Sequence, residues 1–271
     1  MGSEMIIVAD NMQVTNPDVA EAISSRNPDP LEKLVKACIE AGADAIDINP
    51  GPLKKNAAEI MTFLVQTVRG VTPNTLLLDT TSAPAIEAGL AAAGGRAVIN
   101  GFSLEPEKLS HILPLAKRFD ADIIGYVLYP DSRVPTEEAE FLEITLELLA
   151  EAEKAGIEPG KLIIDPVVAP LIWENGVAHN RSLLSFLGRL PELAGYPLRS
   201  AAGLSNLTTG RGASMEKKRL TERTFLPMMA AAGLSMILMQ VFHKEVVDTA
   251  RACDVLTSPR TIFSWASLRV S

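Results

Sequence analysis

Short apolar runs alternate with helical periods from one end of the chain to the other. The first run is Met5-Ile6-Ile7-Val8-Ala9. A helix is predicted from about Leu31, because Leu31, Leu34, Val35, Cys38 and Ile39 recur at i, i+3, i+4, i+7 and i+8 and share one face; Gly42 ends it. A second strand covers 45–48 and a helix about 56–68. A third strand, 75–79, leads into a helix capped by Ser82, with Pro84 in the first turn where its missing N–H costs nothing. The fourth strand is 96–100 with a helix over about 106–119, and the fifth is 123–127 with a long helix over about 136–155. The sixth, 161–165, precedes a helix near 182–190. The seventh, 199–203, is followed by the longest loop and a helix over 221–232. The eighth is 236–240, and a final helix covers about 244–256.

Strands that alternate with helices pair in parallel, and eight such units point to closure. The expected fold is therefore an α/β protein, a (β/α)8 TIM barrel, with 1–271 as a single domain and Met1-Gly2-Ser3-Glu4 an added leader before a native Met5. Phe225 to Phe242 carries no charge and is long enough to span a membrane, but Pro227 and Gly233-Leu234-Ser235 interrupt it. It reads as a buried helix, a glycine stop and a buried strand.

Composition narrows the partners. Apolar residues make up 47% of the 271 and aromatics only 5%, as suits aliphatic packing of helices on a parallel sheet. The net charge of −8 leaves no basic stripe for nucleic acid. The one dense basic run, Lys217-Lys218-Arg219, is either a contact for an anionic ligand tail or a solvated loop. Cys38 and Cys253 sit at apolar positions of helical patterns and read as core filling in a reducing, cytoplasmic setting.

The chemistry concentrates at the C-terminal ends of the strands, which in a barrel converge on one mouth. Asp10-Asn11, Asp47 and Asn49, Asp79, Asn100, Asp165, Ser205-Asn206 and Gln240 close seven of the eight runs. Asp and Asn also start turns and cap helices, which would explain any one of them. Seven together favour a site. No clustered His, Cys or Glu suggests a metal, so none is expected. His111, His179 and His243 fall on helices or loops and read as surface or helix-cap residues. A ring of Asp and Asn suits a flat heterocycle rich in N–H donors.

These residues carry a resemblance to the methyltetrahydrofolate:corrinoid protein methyltransferases of the pterin-binding barrel superfamily. The matching segments are Ala43-Asp44-Ala45-Ile46-Asp47-Ile48-Asn49 with Gly51-Pro52, Leu77-Leu78-Asp79, Ala85 to Leu90, Ala97-Val98-Ile99-Asn100, Ile164-Asp165-Pro166, Gly203-Leu204-Ser205-Asn206 and Arg223-Thr224-Phe225-Leu226. The resemblance implies that Asp79, Asn100 and Asp165 hold the amino and ring N–H edges of the pterin. It places Gly203 and Ser205 on the pocket wall and Asn206 near N5, the methyl-bearing atom. Asn206 and Asp165 are the implied catalytic residues. Tetrahydrofolate or 5-methyltetrahydrofolate is the implied substrate, and the implied assembly is a homodimer. No histidine lies in an Asp-x-His-x-x-Gly motif, so the corrinoid (cobalamin) is expected on a separate partner protein.

The chain also departs from that family. The first strand usually opens Gly-Glu-Arg-x-Asn, where this chain has Ala9-Asp10-Asn11-Met12-Gln13. The loop 207–219 is longer and more basic, and Lys218 stands where the family often has arginine. The direction of transfer stays open, methylcorrinoid to tetrahydrofolate being one of two. A dihydropteroate synthase would show Ser-Arg-Lys after the seventh strand, where this chain has Ser205-Asn206-Leu207. A non-catalytic folate-binding subunit and a bare structural barrel are the remaining alternatives.

Overall fold

The computed structural model describes residues 5–257 except 54 and 194, together with 265 and 268; residues 1–4, expected to be an added leader, lie outside the described residues. The strands are β1 (Ile6–Gln13), β2 (Ala45–Asn49), β3 (Thr75–Asp79), β4 (Ala97–Phe102), β5 (Asp122–Tyr126), β6 (Leu162–Asp165), β7 (Arg199–Gly203) and β8 (Met236–Met239). Each pairs in parallel with the next, and β8 returns to β1, closing the barrel. Around it run α1 (Pro17–Ser25), α2 (Asp29–Glu40), α3 (Ala57–Val71), α4 (Ala83–Ala93), α5 (Pro106–His111), α6 (Leu113–Phe119), α7 (Glu138–Lys154), α8 (Gly176–Leu193), α9 (Met215–Ala231) and α10 (Lys244–Thr257). Among the described residues no helix is long and apolar enough to cross a membrane.

Side chains alternate across each strand, so the chain builds two cores from one sheet. One residue per strand fills the lumen: Val8, Ala45, Leu77, Val98, Ile124, Ile163, Ala201 and Met236. The residues between them, such as Ile7, Ile46, Leu78, Ile99 and Ile237, pack outward on the helices. Both cysteines are buried in this outer core. Two residues beyond six of the eight lumen residues, toward the mouth, stand Asp10, Asp47, Asp79, Asn100, Tyr126 and Asp165, with Gly203 and Leu238 at the same place on β7 and β8, so period two aims the polar ends at one place.

Two register shifts refine that aim. On β1 two residues, Asp10 and Asn11, lie between Ala9 and Met12 opposite the single Asp47 on β2, a bulge. On β4 a second falls between Asn100 and Phe102. A Cβ on Gly101 would land on the Ile124 carbonyl oxygen, so only glycine lets β4 lie this close to β5. Bulges of this kind re-aim side chains beside a site.

The expected elements differ in four places. Helix α1 was not expected; Asn16 caps it by accepting from Asp18 N, Pro17 opens it, and Val19, Ala22 and Ile23 bury its inner face. The helix expected over 106–119 is two, broken at Ile112 because Pro114 cannot continue the ladder. Helix α8 begins at Gly176, earlier than expected. The long basic loop is also corrected. Residues 204–208 form a 3-10 turn, and α9 begins at Met215, capped by Ser214, so Lys217-Lys218-Arg219 is helical.

Candidate functional site

The floor of the mouth is a hydrogen-bonded array on β2 to β5. Asn100 Nδ2 donates to Asp47 Oδ1 at 3.1 Å. Tyr126 Oη donates to Asn100 Oδ1 at 2.6 Å. Asn49 Nδ2 donates to Asp79 Oδ2 at 2.6 Å, while Asn49 Oδ1 accepts from Gly51 N. On β6, Asp165 Oδ1 accepts from Val167 N at 2.7 Å. Asp79, Asn100 and Asp165 are thus each gripped by the adjoining strand or turn, and each keeps hydrogen-bonding capacity toward the mouth.

Burial dominates the electrostatics. It pushes the Asp165 carboxyl up to about 7, with the Val167 N–H opposing. It raises Asp79 to about 6 against the Asn49 bond. Asp47 is raised well above the carboxylate range, first by burial and then by the Asp79 charge. Asp10 rises to about 6, mainly by burial; the Ser205 bond opposes and the Glu222 charge adds. The Tyr126 phenol is raised by burial and by the charges of Asp79, Asp165 and Asp47. A ligand that brings N–H donors or positive charge to these acids relieves their desolvation, and one that brings negative charge does not.

The opposite side of the mouth is built on β1, β7 and β8. Ser205 Oγ donates to Asp10 Oδ2 at 3.1 Å. Asn11 Nδ2 donates to Gln240 Oε1, and Asn11 Oδ1 accepts from Val241 N at 3.2 Å. A cavity of about 460 Å³ here is lined by Asp10, Asn11, Ser205, Arg219, Gln240 and His243 among others. A second, of about 230 Å³, shares Ser205, Gln240 and His243 and adds Thr208, Lys218 and Glu222. Ser205 and Lys218 are thereby brought together; Asp79, Asn100 and Asp165 line neither cavity. Lys218 Nζ donates to Gly210 O at 2.9 Å. Asn206 is exposed at the rim, and a Cβ on Gly203 would sit 3.0 Å from its Nδ2, so the carboxamide lies back over the end of β7.

Three residues were misread or missed. Strand 5 has no Asp or Asn at its end, yet Tyr126 supplies a polar one; its place two residues beyond Ile124 is the available signal. His179 is not a surface or cap residue. It is fully buried, with Nε2 at 2.8 Å from Val167 O and Nδ1 against Pro135 O, so it braces the turn after β6. His243 stands at the cap position just ahead of α10, a role expected of it, and what was missed is that it lines both cavities, with its imidazole held below its ordinary pKa mainly by burial. His111 alone is a surface residue, with Nδ1 2.8 Å from Glu107 O.

Comparison with known proteins bears on what such a mouth takes. The family described as "Pterin binding enzyme" matches residues 14–240. A methylcorrinoid:tetrahydrofolate methyltransferase of Eubacterium limosum is 24% identical over 258 residues, covering 93% of this chain and 91% of its own length. Among solved structures, a Yersinia pestis dihydropteroate synthase superposes with a TM-score of 0.70 at 18% identity, covering 94% of each chain. One from Vibrio fischeri gives 0.71 at 16% identity, covering 96% of each. At such identities the structural likeness speaks to the fold.

Proposed function

The chain belongs to the pterin binding enzyme family, and from that premise we propose that it moves a methyl group between N5 of tetrahydrofolate and the cobalt of a corrinoid carried on a separate protein. The observation that carries this reading is Asn206, a neutral carboxamide laid over Gly203 at the mouth end of β7. The match along most of the chain to a methylcorrinoid:tetrahydrofolate methyltransferase supports it. The name of that relative supports the direction from methylcorrinoid to tetrahydrofolate, which is the direction proposed here.

In that direction N5 of tetrahydrofolate attacks the methyl carbon and the cobalt–carbon bond breaks. The electron pair stays on cobalt, leaving Co(I), and N5 sheds its proton. In reverse, N5 must gain positive character before it can leave. Asp79, Asn100 and Asp165 hold the pterin by its amino and ring N–H edges. Gly203 and Ser205 form the wall beside it, and Lys218 meets the anionic tail. Asn206 turns its carboxamide oxygen to N5 as positive charge grows there. That contact is stronger in the transition state than in the ground state, so it raises the rate more than the affinity. Holding the methyl in line with cobalt contributes the rest. A cytoplasmic homodimer is part of the same proposal.

Dihydropteroate synthesis fits less well. That chemistry needs cations for a pyrophosphate after β7, where this chain places Ser205, Asn206 and the buried Leu207. Calorimetric titration of the purified chain tests the choice. Saturable one-site binding of methyltetrahydrofolate, tighter than that of a dihydropterin pyrophosphate, is expected. Tighter binding of the pyrophosphate would overturn the proposal.

A further inference from the structure

The turn that carries Asn206 is gripped at both ends by buried carboxylates for which the proposed chemistry has no use. Residues Leu204–Thr208 form one 3-10 turn directly after β7. Near its start, Ser205 Oγ donates to Asp10 Oδ2 at 3.1 Å; at its end, Thr208 Oγ1 donates to Glu222 Oε1. Asp10, on the β1 bulge, is 8% exposed, and Glu222, on α9, is 9% exposed. Leu204 and Leu207 anchor the turn from beneath, each 1% exposed. Asn206 stands between the two bonds, exposed, with its Nδ2 against Gly203.

Two carboxylates are an expensive way to hold a short turn. Each is desolvated, and the charge of Glu222 bears on Asp10. The two leucines already seal the turn. What the hydroxyl–carboxylate bonds add is direction: they fix the rotation of the turn about its own axis, and so set the backbone from which the Asn206 side chain turns. They come from two elements far apart in sequence, β1 and α9, so the turn cannot pivot on either alone.

We propose that Asp10 and Glu222 are positioning residues that clamp the Leu204–Thr208 turn and so set the resting orientation of the Asn206 carboxamide, over the end of β7, from which it turns. The effect on rate rests on the methyl-transfer reading, whereas the clamp itself concerns the orientation of Asn206 and is measurable without turnover.

The first readout is therefore the side-chain amide resonances of Asn206 in ligand-free, ¹⁵N-labelled protein, assigned by their loss in Asn206→Ala. Asp10→Ala and Glu222→Ala should shift and broaden them. Asp10→Asn and Glu222→Gln, whose carboxamide oxygens still accept from the hydroxyls, should bring them back toward the wild-type positions. Unmoved resonances in both alanine variants would overturn the clamp, whatever reaction the protein performs. The second readout is methyl transfer from free methylcobalamin to tetrahydrofolate. Asp10→Ala should lower kcat about tenfold at constant KM for tetrahydrofolate, with most of the rate restored in Asp10→Asn. In a Ser205→Ala background, Asp10→Ala should cost no further rate. A rise in KM matching the loss of kcat, or an additive loss in that background, would overturn the clamp. A wild-type protein that gives the expected resonance shifts but transfers no methyl group would overturn the function and leave the clamp standing.

Discussion

Asn100 donates its side-chain N–H to Asp47 at 3.1 Å, reaching from β4 past β3 to β2 at the floor of the barrel mouth. Tyr126 donates to the oxygen of the same carboxamide from β5, so the donor and acceptor sides of Asn100 are fixed from opposite directions. One N–H and one lone pair remain for a ligand. Tyr126→Phe removes one of the two constraints. It is expected to weaken methyltetrahydrofolate binding about five- to tenfold by calorimetry while the fold stays intact. Unchanged affinity would show that the orientation of Asn100 is not what the ligand reads.

Asp165 links binding to stability. Its carboxyl is raised to about 7 from 3.8, so the folded state holds the proton more tightly than the unfolded chain does. The stability that this carboxyl contributes is fully present below 3.8 and is lost as pH rises through about 7. Asp10 and Asp79, both raised to about 6, act in the same sense. The ligand-free protein should therefore melt at a lower temperature at pH 8 than at pH 5.5. Asp165→Asn should narrow that gap, raise Tm at pH 8, and weaken methyltetrahydrofolate binding at least about tenfold. An unchanged gap in the variant would mean that Asp165 is not the buried acid responsible.

The same acids predict proton release on binding. Pterin N–H donors stabilise the ionised carboxylates, which pulls their pKa values down in the complex. Between pH 6 and 7 a fraction of Asp79 and Asp165 is protonated in the free protein. Binding should then expel protons into the buffer, seen as a dependence of the calorimetric enthalpy on buffer ionisation enthalpy that fades above about pH 8.5. Proton uptake in that window would contradict the assignment.

Arg69 serves as a control far from the mouth. Its Nε donates to Ala93 O at 2.7 Å and its Nη2 to Arg96 O at 2.6 Å, while Nη1 donates to Asn74 O. One side chain thereby ties α3 to the loops entering β3 and β4. Arg69→Met leaves three carbonyls without that donor and is expected to cost about 2 kcal/mol in urea unfolding. Pterin affinity should not move, and a loss of affinity would place the site elsewhere.

The eight strand–helix units were legible because alternation and helical periodicity are local signals. Strand-end polarity was legible for the same reason: Asp47, Asp79, Asn100 and Asp165 each follow a lumen residue by two positions. What failed was context. Tyr126 reads as an aromatic core residue until closure of the barrel turns it toward Asn100. His179 reads as a helix-surface polar residue until packing of α8 buries it against Val167. Lys217-Lys218-Arg219 reads as a loop because the run is short and charged, yet Ser214 caps a helix there. The bond between Ser205 and Asp10 joins residues 195 apart, and nothing along the chain announces it.

The most direct measurement mixes the protein anaerobically with tetrahydrofolate and methylcobalamin and follows the cobalt spectrum while methyltetrahydrofolate is quantified. Methyl transfer predicts Co(I) and methyltetrahydrofolate appearing in equal amounts. Asn206→Ala should slow both at least about tenfold while tetrahydrofolate affinity changes less than about threefold. A silent cobalt spectrum, with dihydropteroate formed instead from dihydropterin pyrophosphate and p-aminobenzoate, would contradict it.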